Sequence, residues 1–271
     1  MILVTGATGR IGSALLTGLR GYPVRALTRD LANATFPAGV DAVEGDLADD
    51  PAPLLKGVRA LFLLRGLAPE APVIDAAREA GVEHVVLVSS ITVQTHPHLP
   101  EAHANLVAEN LVKDSGLTWT ILRPTQFASN TLLWSGSIRD DSTVRAPYPD
   151  VGLPAIHPAD IAAVAREALT DSVHNGQTYA LTGPAPVTPR EQAAALAAAL
   201  GRPLSFVELT REQAHHDLAP YFGPATAAVL DLMGGDTTEA LRTVHDTVER
   251  ITGHPATPFV RWATENVAAF R

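Results

Sequence analysis

The residues that first suggest chemistry are three glycines close to the start of the chain. Gly6, Gly9 and Gly12 follow the apolar run Met1 to Val4 in the segment MILVTGATGRIG, with the spacing G-x-x-G-x-x-G. Glycines at such a turn let the backbone approach a pyrophosphate, and the next helix offers free N–H groups and a positive dipole end. No Lys-Ser or Lys-Thr follows, which excludes a P-loop. The spacing predicts a dinucleotide site, against the alternative of a tight turn without a ligand.

The residues after the second predicted strand bear on which dinucleotide is bound. NAD-binding chains place a carboxylate there for the ribose 2′-hydroxyl, whereas this chain has Thr28 and Arg29. A hydroxyl and a guanidinium suit a 2′-phosphate, so we predict NADPH, with NADH the less favoured cofactor. One alternative is that Arg29 is a solvated loop residue. Asp30 either opposes the phosphate or holds Arg29 in position.

Hydroxyl and imidazole groups follow the fifth predicted strand. Ser89 and Ser90 end that strand, and His96, His98 and His103 lie in the segment after it. Histidine titrates near neutral pH, so we predict Ser89, Ser90 and His98 as proton-handling residues. The alternatives are capping hydroxyls and an exposed polar loop. No metal site is predicted, because no carboxylate or histidine recurs at a firm helical spacing.

Short apolar runs alternate with helical patterns through most of the chain, which predicts an α/β fold. The parallel sheet is expected to be doubly wound and Rossmann-like, with helices on both faces. Pro184, Pro186 and Pro189 mark the expected boundary between a dinucleotide-binding domain, residues 1–183, and a smaller, mainly helical, substrate-covering region, residues 184–271. The predicted strands are Ile2–Val4, Val24–Leu27, Val40–Val43, Val58–Leu64, Val85–Val88, Thr118–Leu122 and Thr178–Leu181.

Composition excludes several classes of function. The chain has 271 residues, is 46% hydrophobic and carries a formal net charge of -9, so a large core is available and a broad nucleic-acid surface is disfavoured. It has no cysteine, which rules out thiolate and disulfide chemistry. No stretch reaches the ~20 apolar residues of a membrane helix. We expect a soluble cytoplasmic protein without nucleic-acid or membrane partners.

Four further segments carry a family resemblance. They are GDLAD (Gly45 to Asp49), HVVLVSS (His84 to Ser90), SGLTWTILRPTQFASN (Ser115 to Asn130) and HPADIA (His157 to Ala162). With the glycine turn, they resemble the NmrA-like branch of the atypical and extended short-chain dehydrogenase/reductases, over roughly Met1 to Leu200. The resemblance implies that the cofactor meets the ends of the strands. The expected cofactor-binding residues are Gly6, Thr8, Gly9, Arg10, Ile11, Gly12, Thr28, Arg29, Asp46, Leu47, Leu64, Arg65, Gly66, Ser89, Pro124 and Phe127. For Phe127, and for Trp134 and Trp262 as pocket-lining aromatics, a place in the core is the alternative.

The chain departs from that superfamily at its usual catalytic pair, a Tyr and a Lys four residues apart. Counting back from Ser115, these positions hold Glu101 and Asn105. We expect Glu101 to be a replaced position without a role of its own.

The resemblance and this departure together predict an oxidoreductase. The expected substrate is a small aromatic molecule, namely a quinone or another conjugated aromatic or polyketide carbonyl, reduced by NADPH as quinone reductases of this branch do without the pair. A role in secondary-metabolite tailoring linked to oxygenation and a homodimeric state are further expectations. The alternative is a non-catalytic sensor of NAD(P); an epimerase or dehydratase acting on a sugar nucleotide is less favoured.

Overall fold

A computed structural model describes all residues 1–271, as nine strands and thirteen α-helices joined by turns and short 3-10 segments. The strands are β1 Ile2–Val4, β2 Val24–Thr28, β3 Asp41–Glu44, β4 Ala60–Leu64, β5 His84–Val88, β6 Thr118–Pro124, β7 Thr143–Ala146, β8 Gln177–Leu181 and β9 Ser205–Glu208. The helices are α1 Arg10–Gly18, α2 Pro51–Leu54, α3 Glu70–Glu79, α4 Thr92–Thr95, α5 Pro100–Asp114, α6 Ser135–Asp141, α7 Pro158–Thr170, α8 Pro189–Leu200, α9 Arg211–Phe222, α10 Thr226–Leu230, α11 Glu239–Arg242, α12 Thr247–Thr252 and α13 Phe259–Glu265.

The chain divides into two compact units, each built from three separate segments. The first unit comprises Met1–Pro124, Pro158–Leu181 and Thr247–Pro255, and the second comprises Thr125–His157, Thr182–Asp246 and Ala256–Arg271. Residues 125–157 fall in the second unit because their apolar side chains pack with those of α8 and α13. The expected division after residue 183 stays a prediction about domains.

The first unit is organised around a seven-stranded, wholly parallel sheet of order β3-β2-β1-β4-β5-β6-β8. Helices α1 and α7 pack together, as do α3 and α5. The sheet carries runs of buried Val, Leu and Phe because helices cover it. The strand order reverses between β1 and β4, and ligands of such sheets bind at the strands' carboxyl ends beside that point. The predicted doubly wound α/β fold is confirmed.

The second unit contains a short parallel pair, β7 and β9, and a core of aromatic and aliphatic side chains. Trp262 is buried, with its ring 5.5 Å from Phe259 and 6.2 Å from Phe270. Trp134 is buried in the same core. These tryptophans therefore fill the core, the alternative given above. No helix in either unit has the length and apolar character needed to cross a bilayer.

Candidate dinucleotide and active site

The glycine turn leaves the first turn of α1 open to a ligand. Gly6 has φ of 58°, in the left-handed region that favours glycine, and its carbonyl accepts the Gly9 N–H at 2.9 Å. Gly9 is the N-cap of α1, and because glycine has no side chain, no capping side chain occupies the first backbone N–H groups of the helix. The first N–H groups of a helix have no intrahelical acceptor, so they suit a pyrophosphate.

Gly9 and Gly12 serve different purposes in this turn. A Cβ on Gly12 would lie 2.2 Å from the Gly6 carbonyl oxygen and 2.8 Å from the Ala7 Cα, both backbone atoms. A Cβ on Gly9 would lie 3.1 Å from the same oxygen, and Gly9 is exposed. Gly12 therefore allows α1 to pack against the turn, whereas Gly9 leaves space on the side where a ligand would sit.

The loop after β2 presents a cation and no free carboxylate. Arg29 is exposed. The Asp30 carboxylate accepts the Asn33 N–H at 3.1 Å and the Asn33 Nδ2 at 2.7 Å, and this side-chain bond lowers the pKa of Asp30. The suggestion that Asp30 holds Arg29 in place is therefore wrong. The Thr28 hydroxyl bonds the backbone of Asp30, accepting its N–H at 3.2 Å, so it shapes the loop.

The ends of β3 and β4 continue this edge. Asp46 accepts the Ala48 N–H at 2.9 Å, and Leu47 is buried in the core of the first unit. The Leu64 N–H donates to the Thr5 hydroxyl at 2.9 Å. Arg65 follows, and its Nε is buried without a hydrogen-bond partner, 3.9 Å from the nearest oxygen of Glu70.

Glu109, on α5, is a buried carboxylate paired with two partly exposed cations, and the sequence did not indicate this cluster. Its side chain is 0% exposed, and it accepts Arg123 Nε at 2.8 Å and Nη2 at 2.6 Å. Burial acts to raise the pKa of Glu109, but the bonds from Arg123 and Ser89 outweigh it and hold the pKa below its usual value. Lys113 Nζ lies 3.4 Å away on the next helical turn.

This cluster bears on Ser89, because its hydroxyl donates to Glu109 Oε1 at 2.7 Å. A hydroxyl proton already given to a carboxylate is not offered to a substrate. Ser90 is placed differently: its oxygen accepts the Thr92 N–H at 3.2 Å and lies 3.0 Å from the Thr92 hydroxyl, at the start of α4. Of the two serines, Ser90 is the better candidate for proton donation.

The three histidines do not form an exposed loop as a group. His96 is 0% exposed, and its Nδ1 lies 2.9 Å from the Thr95 hydroxyl. His98 is exposed, with its ring 5.9 Å from that of His96, and His103 is exposed on α5. The alternative of a polar loop is therefore wrong for His96.

The two positions that replace the Tyr and Lys lie one turn apart at the beginning of α5. Asn105 is buried, and its Nδ2 donates to the backbone carbonyl of Glu101 at 2.8 Å. The Glu101 carboxylate itself has one oxygen, Oε2, that is buried and has no hydrogen-bond partner. Neither residue can supply the chemistry of a phenol beside an ammonium group.

Within the second unit, Phe127 forms an isolated parallel β-bridge with Ile156. Two backbone hydrogen bonds flank it: the Ala128 N–H donates to the Ile156 carbonyl at 2.8 Å, and the Ile156 N–H donates to the Gln126 carbonyl at 2.9 Å. The ring of Phe127 is half-buried. In the first unit, the Pro124 carbonyl at the end of β6 accepts the Ile91 N–H at 3.0 Å. Both residues stay predictions as cofactor contacts.

A second feature that the sequence did not indicate surrounds Tyr148. Its φ of 53° is unusual for a residue other than glycine, and its hydroxyl lies 2.9 Å from Arg211 Nη1. Arg211 also pairs with Asp231 at 2.7 Å. A Cβ on Gly234 would lie 2.8 Å from the Cβ of Tyr148, so that glycine allows the close approach.

Comparison with known proteins agrees with this geometry. The NAD(P)H-binding family matches residues 6–172. A (4-alkanoyl-5-oxo-2,5-dihydrofuran-3-yl)methyl phosphate reductase of Streptomyces griseus is 41% identical over 100% of this chain and 99% of its own length. An NAD(P)H azoreductase of Xenophilus azovorans is 37% identical over 100% of this chain and 99% of its own length. The structure of the NADPH-dependent quinone oxidoreductase QOR2 of Escherichia coli complexed with NADPH has a TM-score of 0.80 and 25% identity, covering 98% of this chain and 99% of that one.

These matches extend beyond the glycine turn to the whole length of the chain. The predicted nicotinamide cofactor and the predicted oxidoreductase class are confirmed, whereas the roles of individual residues stay predictions. The chain belongs to the NAD(P)H-binding family and is an NAD(P)H-dependent oxidoreductase.

Proposed function

We propose that this chain reduces a quinone or another conjugated carbonyl with NADPH as the electron donor. The observation that carries the proposal is the pair Glu101 and Asn105, which stands where a Tyr and a Lys would activate an ordinary ketone. A conjugated acceptor spreads the negative charge that develops on its oxygen. Such an acceptor therefore depends less on a proton donor held by the protein.

The relatives support the same substrate class by their names. One is named as a reductase of a (4-alkanoyl-5-oxo-2,5-dihydrofuran-3-yl)methyl phosphate, another as an azoreductase, and a third as a quinone oxidoreductase. All three kinds of acceptor are conjugated. The shared feature is the electronic character of the acceptor rather than its shape, which fits a site without a dedicated phenolic acid.

The proposed cofactor contacts follow the carboxyl edge of the sheet. The first N–H groups of α1 would hold the pyrophosphate, and the exposed guanidinium groups of Arg10 and Arg29 would favour the 2′-phosphate of NADPH. When bound, NADPH supplies the hydride. Ser90 and His98 remain the candidates for delivering a proton, with Ser89 holding Glu109 in place.

Two finer predictions remain part of the proposal. A role in secondary-metabolite tailoring, including polyketide chemistry linked to oxygenation, would follow from a quinone or aromatic ketone as substrate. The second is a homodimer, for which light scattering would give twice the mass of one chain. The sensor alternative requires NADPH binding without turnover, whereas full-length relatives are named as reductases.

The test is anaerobic NADPH oxidation with a naphthoquinone, an azo dye, an alkanoyl-oxo-dihydrofuran and a saturated ketone. General acid help is typically worth 10²–10⁴-fold, so the saturated ketone should react at least about a hundredfold more slowly than the conjugated acceptors. His98→Ala and Ser90→Ala should lower the rate of ketone reduction more than the rate of quinone reduction. His103→Ala is the matched control, because His103 is another exposed histidine. Equal rates with the ketone and the quinone would contradict the proposal.

A further inference from the structure

A phenol is held beside a guanidinium group in the second unit, where the Tyr148 hydroxyl lies 2.9 Å from Arg211 Nη1. A guanidinium has donors only, so the phenolic oxygen accepts this bond and Tyr148 keeps its own proton to donate. No carbonyl, carboxylate or hydroxyl group of the protein accepts that proton. Tyr148 is half-buried, so a ligand can reach it. The pair therefore presents an unused hydrogen-bond donor.

The backbone around this phenol adopts unfavourable geometry to hold it in place. Tyr148 has φ of 53°, a region that costs free energy for any residue other than glycine. A Cβ on Gly235 would lie 2.8 Å from the Tyr148 hydroxyl oxygen and 2.5 Å from Arg211 Nη1, so only a glycine leaves room for the pair. Gly235 and Gly234, which packs against the same ring, belong to the π-helical turn Asp231–Gly235. Such turns are rare and are frequent at functional sites.

The charges beside the phenol indicate which ligand it would bind. Arg211 Nη2 lies 2.7 Å from Asp231 Oδ1, so the positive charge is balanced within the cluster. Its bonds with Tyr148 and Asp231 raise the pKa of Arg211 above its usual value, so the guanidinium stays protonated. A cationic donor on the phenolic oxygen polarises the O–H group and strengthens it as a donor. A strong donor in a cluster without net charge suits a neutral carbonyl oxygen rather than a phosphate.

We propose that the Tyr148 hydroxyl donates a hydrogen bond to a carbonyl oxygen of the acceptor substrate, and that Arg211 is the residue that positions it. This inference rests on the proposed function for its conjugated substrate. The proton stays on Tyr148, so the bond contributes to binding of the acceptor. It is distinct from proton donation, for which Ser90 and His98 are the candidates.

The experiment measures binding of 1,4-naphthoquinone, by calorimetry, to protein loaded with NADP⁺, which cannot reduce the ligand. Tyr148→Phe keeps the ring and removes only the hydroxyl, so it should bind the quinone about two- to tenfold more weakly, the usual range for one hydrogen bond. Its dissociation constant for NADPH and its Tm should stay close to those of the parent. Tyr221→Phe is the matched control, because Tyr221 is an exposed tyrosine on α9.

Steady-state kinetics with NADPH and a second variant provide further readouts. In Tyr148→Phe the loss should appear as a higher KM for naphthoquinone and not as a lower kcat, because the hydroxyl binds the ground state and the transition state alike. Gly235→Ala places a methyl group 2.8 Å from the Tyr148 hydroxyl oxygen and should also weaken quinone binding. Gly136→Ala, in α6, is its control, since a Cβ there meets nothing within 4 Å.

The outcomes separate this inference from the proposed function. Parental quinone affinity in Tyr148→Phe, an equal loss for quinone and NADPH, or a lower kcat at unchanged KM overturns the role of Tyr148 alone. A parent that binds naphthoquinone and does not reduce it overturns the proposed function, and the binding measurements still decide the role of Tyr148. A parent that neither binds nor reduces naphthoquinone or the alkanoyl-oxo-dihydrofuran overturns both. If Tyr148→Phe does not fold, Gly235→Ala decides: weaker quinone binding with parental NADPH affinity supports the inference, and any other result refutes it.

Discussion

Replacing Gly12 and Gly9 separately by alanine should divide the glycine turn into a packing role and a binding role. In Gly12→Ala the new methyl group would lie 2.2 Å from the Gly6 carbonyl oxygen and 2.8 Å from the Ala7 Cα. Both neighbours are backbone atoms, so α1 must move away from the turn. Overpacking of this kind typically costs about 1–3 kcal/mol, and for a chain of this size each kcal/mol lowers the Tm by about 2–4 °C.

In Gly9→Ala the methyl group would lie 3.1 Å from the same oxygen, at an exposed position. Any residue can adopt the Gly9 backbone conformation, with φ of -78° and ψ of 172°. We therefore expect the substitution to cost less than about 1 kcal/mol, which corresponds to a fall in Tm of less than about 4 °C. The methyl group would instead fill space needed by the pyrophosphate. Gly9→Val should remove NADPH binding while the protein remains folded.

The assay is thermal unfolding of both variants without ligand, followed by NADPH titration of whichever variants fold. We expect a lower Tm for Gly12→Ala and lower NADPH affinity for folded Gly9→Ala. Parental NADPH affinity in folded Gly9→Val would refute the assignment of the turn as the pyrophosphate site. A Tm of Gly12→Ala equal to that of the parent would contradict the packing role of Gly12 against the backbone of Gly6 and Ala7.

Three further predictions concern charge. Arg29→Ala should remove most of the NADPH preference over NADH, about tenfold or more from a charge-assisted contact worth roughly 1.5–3 kcal/mol, and equal parental affinities for the two cofactors would contradict this. Glu109→Leu should destabilise the first unit by at most about 3–5 kcal/mol, because the partly buried guanidinium of Arg123 loses its carboxylate partner, whereas Lys113→Ala should cost far less; urea unfolding measures both. Burial, with a smaller effect of His174, lowers the pKa of His84 from 6.5 to about 4. Between these two pH values the unfolded chain binds more protons than the folded one. The free energy of unfolding should therefore fall as the pH drops from about 6.5 to 4. The loss is at most roughly 3 kcal/mol and smaller in practice, since the ring is partly exposed; a stability-pH profile that is the same in His84→Gln would refute it.

The alternation of buried strands and amphipathic helices was enough to predict the doubly wound sheet, because each central strand is apolar on both faces. The ends of α8 follow from local sequence as well, because Thr188 and Glu191 form a reciprocal capping box and Gly201 ends the helix with φ of 67°. Helix α5 begins at Pro100. Proline at the first helical position was the signal that marked this start.

The sequence indicated the part of the candidate site that is formed by the glycine turn and its backbone groups. Glu109 looks like an exposed helical residue in the segment ANLVAENLV, and its burial follows from pairing with Arg123, which is remote in sequence. The left-handed backbone of Tyr148 and its close approach to Gly234 join residues far apart in the sequence, which no local pattern indicates.

The central claim is that this chain transfers electrons from NADPH to a conjugated acceptor without a Tyr-Lys pair. The most direct measurement is an anaerobic single turnover, in which enzyme loaded with one equivalent of NADPH is mixed with a naphthoquinone and the reduced nicotinamide absorbance is followed. We predict rapid, complete oxidation of the bound NADPH by the quinone. Tightly bound NADPH that stays reduced with the quinone, the azo dye and the oxo-dihydrofuran alike would contradict the account.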